Sequence, residues 1–211
     1  MRFTAVLPVK RLGAAKQRLG AGVETERRGP LVVAMLADSL EAAGGARTLE
    51  RVLVVSGDPE IGRIASAAGA EVLEDPSDSG HSEAAMLGIA AAAGAEAVVL
   101  LPGDCPLLDP RELDSLLTGI PGRFVAVVPD RHGTGTNALV LSPPDAISPA
   151  FGPGSRERHV TAARAAGIPH AVEELPSLGL DIDTPADIVA LARELEARPG
   201  RARHTAEVLG I

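Results

Sequence analysis

Short apolar runs alternate with helical patterns along the whole chain. Strands are predicted for the apolar, β-branched runs that end at Pro, Gly or acidic residues: 3–9, 51–56, 70–73, 96–101, 124–128, 138–141 and 170–173. Helices are predicted over 26–43, in a short stretch opened by Asp58, from 80–82 to about 93, and over 110–117, 156–166 and 185–196. This alternation predicts an α/β fold in which a mostly parallel sheet carries helices on both faces.

One part of the pattern departs from simple alternation. The strands 124–128 and 138–141 follow each other with only the polar segment 130–137 and a few residues between them. They therefore predict an antiparallel excursion within the parallel sheet, which is a common arrangement. We expect a single domain over residues 1–197, followed by a polar, peripheral tail over 198–211.

Composition narrows the classes of function. The net charge of −8 argues against nucleic acid as the main partner, and no apolar run is long enough to span a bilayer. The lone Cys105 cannot form an internal disulfide, and with no signal-peptide pattern it favours a reducing cytoplasm. Because Trp and Tyr are absent, a bound base would have to rest on aliphatic walls, backbone groups and polar side chains.

A cluster of cations follows the first predicted strand. Lys10, Arg11, Lys16 and Arg18 come directly after the apolar run 3–9. In open α/β sheets, ligands bind just beyond the carboxyl ends of the strands. These cations therefore predict a polyanionic ligand such as a nucleoside triphosphate, with a solvated basic loop as the alternative. Arg11 has no assigned role and is expected to face solvent.

Carboxylates follow two other predicted elements. Asp104 ends the strand 96–101 after a Pro-Gly turn, where a Mg²⁺ bound to substrate phosphates is expected. Asp181 and Asp183 share one face of an extended segment and could point toward Asp104. Three carboxylates in one site would repel each other without a cation. The alternative for Asp183 or Thr184 is capping of the last helix.

Three further segments predict anion binding. Thr136 follows the glycines of the segment 130–137, and Gly152 and Ser155 precede the helix 156–166, whose free N–H groups would attract an anion. Ser155 as an ordinary N-cap is compatible with that role. Gly80 and Ser82 begin another helix and are candidate nucleotide-binding residues. Additional positive charge is predicted from Arg156, Arg158 and His159.

These segments together resemble a known family. The motifs LPVKRLGAAKQRL, PGDCPLL, GTGTNAL, FGPGSRERH and LGLDIDTPAD are similar to those of the 2-phospho-L-lactate / phosphoenolpyruvate guanylyltransferases, which serve coenzyme F-420 biosynthesis. The resemblance extends from Met1 to about Leu195. Molybdenum-cofactor guanylyltransferases and sugar-phosphate nucleotidyltransferases share the PGD and DIDTP patterns. They usually carry a glycine-rich loop after the first strand, which this chain lacks.

The resemblance implies a single Rossmann-like nucleotidyltransferase domain that uses GTP and Mg²⁺. It assigns phosphoenolpyruvate binding to Thr136, Gly152 and Ser155, and metal binding to Asp104, Asp181 and Asp183. It assigns the nucleotide to the first loop, in which Lys10, Lys16 and Arg18 match the family. Bacterial members are implied to use phosphoenolpyruvate and archaeal members 2-phospho-L-lactate.

The implied reaction needs no general base. The second pKa of the acceptor phosphate lies near 6, by analogy with phosphoserine, so this phosphate is largely ionised and can itself attack GTP. Lys10 and Lys16, with Asp104 and its metal, would act as catalytic groups that neutralise charge on the departing pyrophosphate. Two alternatives stay open at this point: another acceptor, such as a sugar phosphate or molybdopterin, and a nucleotide-sensing module without catalysis.

Overall fold

A seven-stranded sheet is the centre of the computed structural model, which describes residues 1–14, 19, 25–198 and 200–211. Its strands are β1 (Phe3–Pro8), β2 (Leu49–Ser56), β3 (Glu71–Glu74), β4 (Ala97–Leu100), β5 (Phe124–Pro129), β6 (Thr136–Ser142) and β7 (His170–Val172). Their order is β3-β2-β1-β4-β6-β5-β7. Only β6 is antiparallel to its neighbours, so the predicted α/β class and the antiparallel excursion are both confirmed.

Helices cover both faces of this sheet. Within the described ranges they are α1 (Thr25–Gly45), α2 (Pro59–Ala67), α3 (His81–Ala91), α4 (Pro110–Thr118), α5 (Ser155–Ala165), α6 (Pro185–Ala197) and α7 (Arg203–Leu209), with 3₁₀ turns at Leu12–Ala14 and Pro176–Leu178. Asp58 and Asp109 cap α2 and α4 by accepting backbone N–H groups, each followed by a proline in the first turn. None of these helices has both the length and the apolar character needed to cross a bilayer.

Alternating side chains of the central strands divide the interior into two cores. Phe3, Ala5 and Leu7 of β1 join a core with α1, α2 and α4, whereas Val6 joins a second core with α3 and α5. All six residues of β1 are buried, as expected for a strand covered on both faces. The helices therefore cover β1 on both faces, and polar groups are found beyond the ends of the strands.

The direction of β6 decides which residues meet at the ends of the strands. β1 and β4 are parallel, so their carboxyl ends lie at the same edge of the sheet. Because β6 is antiparallel to β4, its first residue, Thr136, lies at that same edge. The sheet thus gathers residues that follow β1 and β4 with those that begin β6.

The C-terminal segment is fastened to α1. The buried Asp38 carboxylate accepts hydrogen bonds from the backbone N–H groups of His204 and Thr205, at 3.1 and 2.9 Å, and from the Thr205 hydroxyl at 2.6 Å. Ala202 packs in a third apolar cluster that includes Leu31 and Met35 of α1. The domain division at residue 197 stays a prediction, but the segment predicted to be a peripheral tail contains a helix that packs on the domain.

Replacing Asp38 by alanine tests this attachment. Two buried donors and one half-buried donor would lose their acceptor, so we expect Asp38→Ala to lower the free energy of unfolding by about 2–4 kcal/mol. Urea denaturation of both proteins measures the difference. The exposed Asp145 provides the control, since Asp145→Ala should change stability by less than about 0.5 kcal/mol. Equal stabilities for Asp38→Ala and the parent protein would contradict the attachment.

Candidate active site

The first loop begins with two contacts to neighbouring strand ends. The Leu12 N–H group donates to the Asp58 carboxylate at 2.9 Å, and the Arg11 guanidinium donates to the Pro76 carbonyl at 3.2 Å. Arg11 therefore connects the ends of β2 and β3 through a solvent-exposed contact, and the residue itself is half-buried. Lys10 is exposed beside this anchor. Lys16 and Arg18 lie outside the described residues, and their roles stay predictions.

The backbone at Gly57 packs closely against Asp75 and the Arg11 side chain. A Cβ atom at Gly57 would lie 2.2 Å from the Asp75 carbonyl and 2.8 Å from the Arg11 guanidinium, so only glycine fits. The Asp75 carboxylate is buried and accepts hydrogen bonds from Ser77 and from the backbone and hydroxyl of Ser79. Burial raises the pKa of Asp75, but the hydrogen bonds from Ser77 and Ser79 lower it by more, so the pKa lies below its usual value. The loop that leads into α3 is therefore ordered by its own polar groups.

The start of α3 lies close to both the first loop and the acidic residues. Gly80 has a φ of +108°, and the Ser82 hydroxyl accepts a hydrogen bond from the Phe151 N–H group at 2.9 Å. Burial lowers the pKa of His81, the Asp104 charge opposes that shift, and the Lys10 charge adds to it. His81 thus has both charges in its surroundings. The contact of Ser82 is to the β6–α5 connection, and nucleotide binding by Gly80 and Ser82 stays a prediction.

The predicted acidic residues lie side by side. The Ile182 N–H group donates to the Asp104 carbonyl at 3.2 Å, which places the segment 181–183 alongside the end of β4. Burial raises the pKa of the Asp181 carboxyl, and the charges of Asp104 and then Asp183 raise it further. The structure therefore brings the three carboxylates into one electrostatic environment, as the sequence predicted.

A capping box formed by Thr184 and Asp187 begins α6. The Asp187 carboxylate accepts from the backbone N–H groups of Asp183 and Thr184 and from the Thr184 hydroxyl. The cap alternative is thus correct for Thr184, whereas Asp183 contributes its backbone. Asn137 also orients the acidic segment, because its amide donates to the Leu178 carbonyl at 2.6 Å and approaches the Asp181 carboxylate at 3.5 Å.

The donor chemistry of the three aspartates fits a hard divalent cation. Carboxylate oxygens are the ligands that Mg²⁺ prefers, and a cation would relieve the repulsion that raises the pKa of Asp181. Within the described ranges, the one set of three potential ligand side chains whose ligand atoms all lie within 4.8 Å of one another is Asp38, Glu41 and His204. The ligand atoms of Asp104, Asp181 and Asp183 are therefore farther apart than this, and the fit rests on their donor chemistry and shared electrostatics. In the set with Glu41 and His204, Asp38 already binds the start of α7.

The residues predicted to bind the acceptor gather around one histidine. Thr136 Oγ1 lies 3.0 Å from His159 Nδ1, and the His159 Nε2 atom accepts the Ala150 N–H group at 2.8 Å. Ser155 is buried at the first position of α5, one turn before His159, and its N–H group donates to the Gly152 carbonyl at 3.0 Å. Thr136, Gly152 and Ser155 are therefore brought together by β6 and the start of α5.

The cations near this site hold the backbone. Arg156 donates to the Gly133 carbonyl at 2.7 Å, and Arg158 donates to the Ala150 and Phe151 carbonyls and, in a very short contact, to that of Pro153. His159 was predicted to add positive charge, and that prediction is wrong. Burial, with a smaller effect from Arg158, lowers the pKa of His159 to about 4, so the ring is neutral near pH 7.

A separate cavity of about 570 Å³ lies between α1, the β4–α4 connection and the C-terminal segment. It is lined by residues such as Asp38, Gly45, Leu107 and Arg201. None of the predicted site residues within the described ranges lines this cavity. The predicted site residues within the described ranges are instead concentrated at the open edge of the sheet, where β1 and β4 end and β6 begins.

The fold defines a nucleotidyltransferase-type α/β protein. A nucleotidyl transferase from Methanothermobacter thermautotroptrophicus has a TM-score of 0.69 at 15% identity, over 92% of this chain and 98% of that one. CMP:2-keto-3-deoxy-manno-octonic acid synthetase complexed with CTP has a TM-score of 0.64 at 16% identity, over 94% of this chain and 99% of that one. A manganese complex of Rv0371c from Mycobacterium tuberculosis has a TM-score of 0.58 at 20% identity, over 91% of this chain and 98% of that one. At these identities the likeness shows the fold alone.

The chain belongs to the family described as "Guanylyl transferase CofC like", whose model matches residues 3–199. A phosphoenolpyruvate guanylyltransferase from Conexibacter woesei is 44% identical over 99% of this chain and 96% of that protein. The protein of the same name from Sphaerobacter thermophilus is 42% identical over 91% and 93%. The predictions of the family, of a guanylyltransferase and of an enzyme are thereby confirmed.

Sequence reasoning missed the contacts of two histidines. His81 contacts Phe151 edge-to-face with ring centroids 4.7 Å apart, and Phe151 in turn contacts His159 at 5.3 Å. The four-residue spacing of Ser155 and His159 places both on one face of a helix, and this spacing could have revealed a shared role. The partners of His159, at residues 136 and 150, are remote in sequence and could not be inferred.

The buried neutral His159 predicts a loss of stability in mild acid. The folded pKa of about 4 lies below the usual 6.5, so the unfolded chain binds the proton first and stability falls as pH drops through this window. At about pH 5 the loss from this group is about 2 kcal/mol relative to pH 7. Urea denaturation at both pH values should show that loss in the parent protein and not in His159→Gln. Equal pH dependence of the two proteins would refute it.

Proposed function

We propose that this chain joins GTP to phosphoenolpyruvate, with release of pyrophosphate, as a step in coenzyme F-420 biosynthesis. The observation that carries the proposal is the gathering of Thr136, Gly152 and Ser155 beside the Asp104–Asp181 pair at one edge of the sheet. It supports an acceptor site next to a metal-nucleotide site. The relatives named phosphoenolpyruvate guanylyltransferase support the choice of acceptor.

The proposed reaction is an in-line displacement at the α-phosphorus of GTP. An oxygen of the acceptor phosphate forms the new P–O bond, and the bond from the α-phosphorus to the oxygen that bridges it to the β-phosphorus breaks. The electron pair of that bond leaves with pyrophosphate. Because the acceptor phosphate is largely ionised at neutral pH, no side chain has to remove a proton. The work of the protein is to orient the reactants and to neutralise charge.

Donors at the β6 and α5 ends would hold the acceptor. The positive end of the α5 dipole would attract an anion, whereas the Ser155 and Arg156 N–H groups already donate to the Gly152 and Thr134 carbonyls. Gly152, with a φ of +105°, lets the backbone turn tightly before α5. The Ser155 and Thr136 hydroxyls would add two hydrogen bonds. Phosphoenolpyruvate and 2-phospho-L-lactate both carry a phosphate beside a carboxylate, so these donors would accommodate either compound.

Asp104, Asp181 and Asp183 would hold divalent metal, for which we propose Mg²⁺. When bound, the metal would neutralise the phosphates and polarise the reacting oxygens. Asn137 would keep the Asp181 carboxylate in place through its bonds to Leu178 and Asp181. The known manganese complex of the structural neighbour Rv0371c supports a divalent ion on this fold.

The triphosphate of GTP would lie over the first loop. Lys10 is exposed at the carboxyl end of β1 and within electrostatic range of His81, at the start of α3. We propose that Lys10, Lys16 and Arg18 bind the phosphates, and that Lys10 and Lys16 neutralise the leaving pyrophosphate. Gly80 and Ser82 would contact the nucleotide from the start of α3.

Replacing the central carboxylate tests the proposal. With GTP, Mg²⁺ and phosphoenolpyruvate we expect pyrophosphate release, and Asp104→Asn should lower kcat by about 10²–10³-fold because a contact to developing charge is lost. Asp145→Asn, at an exposed position, is the matched control and should keep full activity. Full activity of Asp104→Asn with an unchanged melting temperature would remove Asp104 from the metal site.

The same assay separates the competing functions. A matrix of GTP, ATP and CTP against phosphoenolpyruvate, 2-phospho-L-lactate, a sugar phosphate and molybdopterin should give the highest kcat/KM for GTP with phosphoenolpyruvate. A preference for a sugar phosphate or molybdopterin would replace the proposed acceptor. Binding of GTP without pyrophosphate release with any acceptor would indicate a nucleotide-sensing module instead.

A further inference from the structure

We propose that His159 is a positioning residue that fixes the Thr136 hydroxyl as a hydrogen-bond donor to the acceptor substrate. The inference deepens the proposed function and rests on it, because Thr136 is taken there as an acceptor ligand. His159 itself is buried and does not reach the substrate. Its effect would be exerted through Thr136, at a ring-to-hydroxyl distance of 3.0 Å.

The two contacts of the imidazole determine its tautomer. The Ala150 backbone N–H group can only donate, so His159 Nε2, 2.8 Å away, must present its lone pair. A neutral imidazole carries one N–H group, which then has to be on Nδ1. Nδ1–H therefore donates to Thr136 Oγ1, and the hydroxyl hydrogen of Thr136 must point to another acceptor.

The surroundings of His159 preserve this neutral state. The side chain is buried, Phe151 contacts its ring, and the positive charge of Arg158 disfavours a second proton. Arg158 also holds the Ala150 and Phe151 carbonyls, which keeps the Ala150 N–H group aimed at Nε2. The loop that contains Gly152 thus sets the tautomer of His159, and that tautomer sets the direction of the hydrogen bond to Thr136.

The consequence for an anionic substrate is direct. With the opposite tautomer, the Thr136 hydroxyl would donate to the ring, and its lone pairs would face the negatively charged acceptor. With Nδ1–H, the hydroxyl accepts from the ring and offers its own hydrogen to the anion. His159 therefore makes Thr136 selective for a hydrogen-bond acceptor, as a phosphate or carboxylate oxygen is.

Two conservative substitutions separate the two hydrogen bonds. The amide of asparagine can occupy the place of Nδ1 and donate to Thr136, whereas the amide of glutamine can reach the place of Nε2 and accept from Ala150. We expect His159→Gln to raise KM for phosphoenolpyruvate about tenfold or more, with KM for GTP changed less than about twofold. His159→Asn should stay within about threefold of the parent KM, although both variants lower the melting temperature.

A double-mutant cycle shows whether His159 acts through Thr136. If it does, Thr136→Val combined with His159→Gln should have the same KM for phosphoenolpyruvate as Thr136→Val alone. The proposal would be overturned if the two substitutions multiplied their effects on KM for phosphoenolpyruvate. It would also be overturned if His159→Gln raised KM for phosphoenolpyruvate and KM for GTP equally, which would leave His159 a packing residue. His170→Gln, on β7 and remote from the site, is the matched control and should leave both KM values unchanged.

A spectroscopic measurement tests the tautomer independently of the substrate. The ¹⁵N chemical shifts of the His159 ring, in protein labelled at histidine, should show a protonated Nδ1 and an unprotonated Nε2 near pH 7. A protonated Nε2 would overturn the proposal whatever the activity. A correct tautomer in a protein that forms no product from phosphoenolpyruvate would instead refute the proposed acceptor, and with it the role of Thr136.

Discussion

The reversed direction of β6 is the constraint on which the candidate site depends. In a fully parallel sheet, the residue that begins a strand lies at the edge opposite to the residue that ends its neighbour. Here β6 runs against β4, so Thr136 and Asn137 lie at the edge where Asp104 follows β4. Asn137 contacts Asp181 on the proposed metal side of the site, and Thr136 contacts His159 on the proposed acceptor side. Two adjacent residues thus connect the two halves of the proposed reaction.

Neutral and charged hydrogen bonds then keep this edge in order. Arg156 and Arg158, which could have served as anion ligands, are used to hold the carbonyls around Gly133 and Ala150. The proposed anion site would consequently rely on neutral donors, namely the Thr136 and Ser155 hydroxyls, at the start of α5. Neutral donors that are fixed before the substrate binds lose little free energy to reorganisation and still favour developing negative charge. The carboxylates of Asp104, Asp181 and Asp183, in contrast, repel one another, and the proposed cation would relieve that repulsion.

The sequence predicted most of the fold and the proximity of several candidate site residues. Strong periodicity located the buried strands, and Asp58 and Asp109 before prolines located two helix starts. It also predicted that Asp181 would lie near Asp104. It could not predict the neutral state of His159, because burial and the partners at residues 136 and 150 arise only from tertiary packing. For the same reason the solvent-exposed contact of Arg11 with Pro76 could not be predicted.

The central claim is that the acceptor phosphate itself attacks GTP at this edge of the sheet. Its most direct test is an isotope-transfer experiment with phosphoenolpyruvate whose non-bridging phosphate oxygens are ¹⁸O. Mass spectrometry and ³¹P NMR of the product should place ¹⁸O in the bridge between the two phosphorus atoms, with none in pyrophosphate. Solvent oxygen in GMP would show that water attacks the α-phosphorus, and an unlabelled bridge would show that the bridging oxygen does not come from the acceptor phosphate. Either result would contradict the account.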